Sequence, residues 1–223
     1  DEALRELETF SEELAMYQRQ NFNEFAFHYY ANKVFALKLA RRLDESKVIL
    51  DEAFEQKEIL KNGTPEVFLL ISLADQYFSQ HDYHDAANVL NRLVKHTHFS
   101  KLDREIRLYV QIFRVIYFYE AEHYTQAAET GKSIRRSFRD LLKDEDYEKA
   151  AKFLEIILRM NTAAVEGKKV FLKAALRNFT DAYPASEIGD NQIILYELYL
   201  LSKLEPEHTY YELLCNKALQ AVS

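Results

Sequence analysis

The sequence predicts an all-α fold in which about five antiparallel helix pairs stack side by side as a solenoid. Three observations lead there. Turn formers are scarce, with 4 Gly and 3 Pro in 223 residues, so sheets and glycine-rich nucleotide folds lack the breaks they need. Between those breaks, apolar residues recur at steps of three and four, the spacing of one helix face. A short motif built on an aromatic and a pair of alanines also returns along the chain at a near-constant interval.

The elements follow from the punctuation. Leu4, Leu7, Phe10, Leu14 and Tyr17 mark a first amphipathic helix that breaks at Asn21 to Asn23. A second runs through Phe25, Tyr29, Val34 and Leu37 to about Arg42, and Asp44 has the chemistry to cap a third, reaching Ile59. In Asn62-Gly63-Thr64-Pro65, Gly63 is placed to end a helix, Thr64 to cap the next and Pro65 to open it. Helices are then expected over Val67–Phe78, Tyr83–Val94, Leu102–Ala121, Tyr124–Leu142 and Tyr147–Met160. Gly167 precedes one over Val170–Phe179, Tyr183-Pro184-Ala185-Ser186 separates off Gln192–Leu204, and Pro206 opens the last. Gln192–Leu204 is apolar on nearly every side, which predicts burial.

The motif reads His81-Asp82-Tyr83-His84-Asp85-Ala86-Ala87, then Glu122-His123-Tyr124-Thr125-Gln126-Ala127-Ala128, then Glu145-Asp146-Tyr147-Glu148-Lys149-Ala150-Ala151. Arg42-Leu43-Asp44-Glu45-Ser46 is a weaker copy. Leu43 to Tyr83 is a step of 83 − 43 = 40, and Tyr83 to Tyr124 is one of 124 − 83 = 41, both within the range of two-helix repeats. Tyr147 follows Tyr124 by only 147 − 124 = 23, which reads as the first helix of the next unit sharing the motif.

On these residues the chain resembles the tetratricopeptide repeat family. Residues 67–94 match best, with Leu70, Leu73, Ala74, Tyr77, Tyr83, Ala86 and Leu90 at that family's apolar, small and aromatic positions. Around Tyr124 the match keeps Phe118, Tyr124 and Ala127, while Gln111, Arg114 and Gly131 fall where apolar residues are usual. The glycine customary between the paired helices is His81 in one unit and Glu122 in the other. The resemblance implies one domain over residues 1–223 and a right-handed superhelix, with repeat units at 25–61, 65–97 and 101–142 and divergent pairs over 146–223. It also implies a concave groove lined by the first helix of each pair: Asn32, Phe35 and Lys38, then Asp75 and Phe78, then Tyr109, Ile112, Ile116 and Tyr119. Phe35, Phe78 and Tyr119 would be its apolar anchors, with Lys38 and Asp75 setting its polarity.

Chemistry beyond binding finds little footing. Four scattered glycines make no phosphate loop. His81 with His84, and His96 with His98, lack the further ligands a zinc site needs. Cys215 falls on an amphipathic helix, as a small core residue does. Lys132, Arg135, Arg136, Arg139 and Lys143 form a basic stripe. A net charge of −7 and the adjacent Asp144-Glu145-Asp146 set it against nucleic acid, but the stripe suits an acidic peptide equally well.

The expected function is therefore a non-catalytic scaffold, with no metal or cofactor, that holds a protein or peptide partner. Two alternatives stand beside it. One is the peptide- or ligand-sensing part of a transcriptional regulator. The other is a homo-oligomerising module, a homodimer for example, built on the apolar stretch Ile193 to Leu201. A single cysteine and the lack of an apolar run of about 20 residues point to a cytoplasmic protein. The start at Asp1 is expected of a fragment or a processed chain.

Overall fold

The structure, a computed structural model, describes residues 22–60, 63–167, 172–183 and 194–222. Every regular element among them is helical, with no strand among the described residues. The chain divides into two compact units, Asp1–Leu102 and Asp103–Ser223. The first holds α1 (Phe22–Leu39), α2 (Leu43–Glu55), the one-turn α3 (Lys57–Leu60), α4 (Thr64–Ser79), α5 (Tyr83–Lys95) and a 3-10 turn at Phe99–Lys101. The second holds α6 (Arg104–Glu120), α7 (Tyr124–Ser137), 3-10 turns at Leu141–Lys143 and Glu145–Tyr147, α8 (Glu148–Val165), α9 (Leu172–Ala182), α10 (Tyr196–Leu204) and α11 (Tyr210–Val222).

Three helix pairs, α1/α2, α4/α5 and α6/α7, turn the same corner. Arg41, His81 and Glu122 each sit in the left-handed region, at φ 62, 66 and 59°. Their N–H groups donate to the carbonyls of Lys38, Phe78 and Tyr119 at 3.0, 3.1 and 3.1 Å. The N–H of the next residue reaches back to Leu37, Tyr77 and Phe118 at 2.9, 2.9 and 2.7 Å. This is the Schellman pattern, which satisfies two carbonyls that a helix end otherwise leaves bare. The corners recur at the same steps as the motif, so the sequence interval is also a geometric one. Ser46, Ala86 and Ala127, three residues into each second helix, are fully buried, and only small side chains allow that approach. Tyr147 stands outside the series, because it enters α8 from a 3-10 turn.

In the first unit, Val34, Leu50, Ala53 and Leu69 form a core, with Phe27, Tyr30, Ile49, Phe54, Leu60 and Leu73 packed against it. Full burial of a side chain such as Leu50 or Leu69 is worth roughly 1.5–3 kcal/mol. A polar pin joins the two helix pairs across this core. The Gln76 amide donates to the Leu43 carbonyl at 2.8 Å and accepts from Ser46 Oγ at 3.1 Å. The second unit repeats the device: the Asn161 amide of α8 donates to the carbonyl of Tyr124, the counterpart of Leu43, at 3.0 Å. Its core is aromatic. Phe153 stacks on Tyr196 at 4.1 Å and meets Tyr199 and Phe179 edge-on at 5.9 and 6.2 Å.

Several boundaries differ from the sequence reading. The first amphipathic stretch, Leu4 to Tyr17, lies outside the described residues, as do Val170, Pro184 to Ser186, Gln192 and Ile193. The third predicted helix breaks at Gln56, which takes φ −78, ψ 86° with no glycine or proline to announce it. Gly63, at φ 69°, is the residue that precedes α4, so Thr64 is the first residue of that helix. A side chain at position 63 would meet both the left-handed backbone and the His98 ring, which occupies the place of a Cβ. The helix predicted to run to Leu142 ends at Ser137, where Phe138 leaves helical geometry at φ −121, ψ 27°. The last helix opens at Tyr210, not at Pro206. Thr209 and Glu212 cap it reciprocally, with Thr209 N–H to Glu212 Oε2 at 2.8 Å and Glu212 N–H to Thr209 Oγ1 at 3.1 Å.

Candidate functional site

The residues predicted to line a groove divide by fate. In the first unit, Asn32 is exposed and Phe35 is 43% exposed on α1. Lys38 is buried and bonds to Asp75 of α4, an ion pair sealed between the two helices. Phe78 is 4% exposed and packs its ring on Tyr83 at 5.3 Å. Phe78 is thus a core residue and not an anchor for a partner, and Lys38 is spent inside the unit. In the second unit Ile112 and Ile116 are also core, both at 0% exposure, because α6 is buried on nearly every side from Leu108 to Phe118. Tyr109 is half-buried and its hydroxyl donates to Glu105 at 3.1 Å. Burial, then the Glu105 charge, pushes that phenol up to about 12.

Tyr119 keeps an open side. It lines a cavity of about 610 Å³ with Tyr124, Met160, Leu176, Lys203 and Leu204. Burial, with the Glu120 charge, raises its phenol to about 12, so the hydroxyl remains a donor at any ordinary pH. Lys203 is held there by Glu120, which also accepts from the Tyr199 hydroxyl. These bonds tie α10 to α6, and Lys149 to Glu197 at 3.0 Å ties it to α8.

The larger opening is one that groove register does not point to. A cleft of about 790 Å³ lies between α7, the 3-10 turn after it, α8 and α9. Leu142, Ala151, Leu154, Leu158, Ala163 and Ala175 give it an apolar lining. Arg135, Arg139 and Lys143 line it as well, all three exposed, and none of their side chains makes an ion pair or hydrogen bond among the described residues. On α8, Arg159 is bonded to Glu155, so its charge is offset locally. The nearby Arg104 is also engaged, held by Asp140 at 2.6 and 2.9 Å, and that hydrogen bond keeps the Asp140 carboxyl down at about 2. The sequence shows the five-residue basic stripe. That three of its members turn into a cleft follows only from where α8 packs.

Gly131 explains part of the cleft's shape. A Cβ at this position would run into a methyl of Leu158, so the bare backbone of α7 lets that leucine pack against it. The two polar departures from the repeat pattern also find each other, since Arg114 donates to Gln111 at 2.7 Å and lies over the Phe118 ring at 5.5 Å.

Elsewhere, Cys215 is fully buried. His96 sits 3.2 Å from Glu66, and no group of three metal-ligating side chains converges among the described residues. The apolar stretch from Ile194 to Leu200 is buried, with α9 and α11 packed on α10. No helix among the described residues is long and apolar enough to cross a membrane. Compared with protein families, with curated proteins and with solved structures, the chain matches none.

Proposed function

We propose that this chain is a non-catalytic, tetratricopeptide-like scaffold that binds a segment of a partner protein, and that the cleft between α7, α8 and α9 is where the segment sits. One observation carries the reading. Three cations whose side chains have no partner among the described residues stand beside an apolar lining in an open cleft. Such a surface gives a partner both area to bury and charge to meet. The repeated corners at Arg41, His81 and Glu122 support the solenoid part of the reading, a right-handed stack of helix pairs.

The test is selection of peptides from a random display library against the whole chain, with counter-selection on Arg135→Glu/Arg139→Glu. Peptides that bind the parent and not the variant support the reading. A library that yields none overturns it. Ligand sensing is a second reading, and the 610 Å³ cavity around Tyr119 favours it, since that volume suits a small molecule. A compound screen by thermal shift, with Tyr119→Phe as control, decides that case.

A further inference from the structure

Resting on that reading, we infer that the cleft accepts an extended acidic segment of six or seven residues in which carboxylates alternate with apolar side chains. Length comes first. The cleft follows α8 from Ala151 to Glu166, and 166 − 151 = 15 residues at 1.5 Å each gives about 22 Å. An extended chain at about 3.3 Å per residue covers that distance in six or seven residues. An extended chain turns successive side chains to opposite sides, which suits a cleft with unlike walls.

The two walls give the pattern. Arg135 lies in the last turn of α7, and Arg139 and Lys143 follow it at four-residue steps in the turns after that helix ends. Side chains on one side of an extended chain recur about every 6.6 Å. Carboxylates at the first, third and fifth positions put three negative charges on the side of the segment that faces these cations. The residues between them face the α8 wall, where Leu154, Leu158 and Ala163 offer apolar contacts beside Glu155 and Glu166. Arginine pairs with carboxylate in a two-pronged fashion, so two of the three contacts carry geometric as well as electrostatic selectivity. A nucleic acid strand is a poorer fit, because no aromatic side chain among the described residues lines this cleft to stack a base.

The experiment uses the full chain and fluorescein-labelled probes in an anisotropy titration. The heptapeptide Glu-Leu-Glu-Ala-Glu-Leu-Glu is compared with its lysine counterpart, with a stapled helix bearing glutamate at every fourth position, and with a single-stranded oligonucleotide. The acidic extended peptide is expected to bind at least tenfold tighter than each of the others. It should weaken at least tenfold in Arg135→Ala/Arg139→Ala/Lys143→Ala, whose circular dichroism and melting temperature should stay at parental values. Tighter binding of the helix, the lysine peptide or the oligonucleotide overturns the inference, as does indifference to the triple variant. Should display selection return basic or helical peptides that need Arg135 and Arg139, this inference fails while the scaffold reading stands. Should selection return nothing, the scaffold reading itself has failed.

Discussion

The two units make different use of charge at comparable places. In the first, a lysine on the first helix of a pair is buried against an aspartate of the next pair, Lys38 on Asp75. One repeat interval later the position of Lys38 is Phe78, also buried, and one more brings Tyr119, which opens into a cavity. The second unit pins its helices together with Glu120, Tyr199 and Lys203, and with Lys149 and Glu197. It leaves Arg135, Arg139 and Lys143 unmatched among the described residues, at the mouth of a cleft. Identical corners therefore do not make equivalent surfaces. Charge consumed between helices holds a unit together, and charge left at an opening is available to something else.

The strongest way to break this contrast is to remove one member of the buried pair. Lys38→Met is expected to cost about 3 kcal/mol in urea denaturation, because it leaves the Asp75 carboxylate sequestered without its counter-charge. Adding Asp75→Leu should restore most of that loss. If Lys38→Met is neutral, the pair is not what joins α1 to α4. In the second unit, the cleft variants Arg135→Ala and Arg139→Ala should each change stability by less than about 0.5 kcal/mol, since both side chains are exposed and unpaired among the described residues.

Intermediate effects are expected at the caps and corners. Thr209→Ala removes the hydroxyl half of the reciprocal cap on α11 and should lower stability by about 1 kcal/mol. Replacing Glu122 by glycine should raise stability by about 0.5–1 kcal/mol, and His81→Gly should gain less because it gives up the 2.7 Å bond to the Tyr83 hydroxyl. The left-handed corner costs a side-chain-bearing residue roughly 1–2 kcal/mol, and the extra freedom of glycine in the unfolded chain offsets part of the relief. A fall in stability in both variants would mean that the corner side chains contribute contacts of their own.

A last effect appears only in alkali. Tyr109 and Tyr119 titrate near 12 in the folded state, above the ordinary value of 10. Folding favours their protonated forms, so this contribution is complete below pH 10 and declines as pH rises toward 12. Followed by tyrosinate absorbance, Tyr109→Phe/Tyr119→Phe should lose two late-titrating phenols relative to the parent.

Much of the architecture is legible in the sequence because corners and small residues are local features. The two near-equal steps of the motif locate three Schellman turns, and Ala86 and Ala127 mark close helix approach. What escapes depends on partners far along the chain. The family resemblance places Lys38 in an open groove, and nothing near it shows that Asp75, 37 residues away, pairs with it. The same resemblance offers Phe78, Ile112 and Ile116 as groove residues, though each sits on a helix covered from more than one side. The break at Gln56 carries no glycine or proline. The cap at Thr209 is visible as Thr-x-x-Glu, yet Pro206 is the louder signal three residues earlier. For the cleft, the basic stripe is plain, but its apolar lining belongs mostly to α8, whose placement no local pattern encodes.

Gly131 has a consequence of a different kind. It stands behind Leu158, and Leu158 faces the cleft, so one side chain lies between the cleft and the backbone of α7. A side chain at position 131 would push that leucine toward the opening and reshape the cleft without replacing any residue that lines it. If the cleft binds as proposed, its fit can be altered from the rear with the cations left in place.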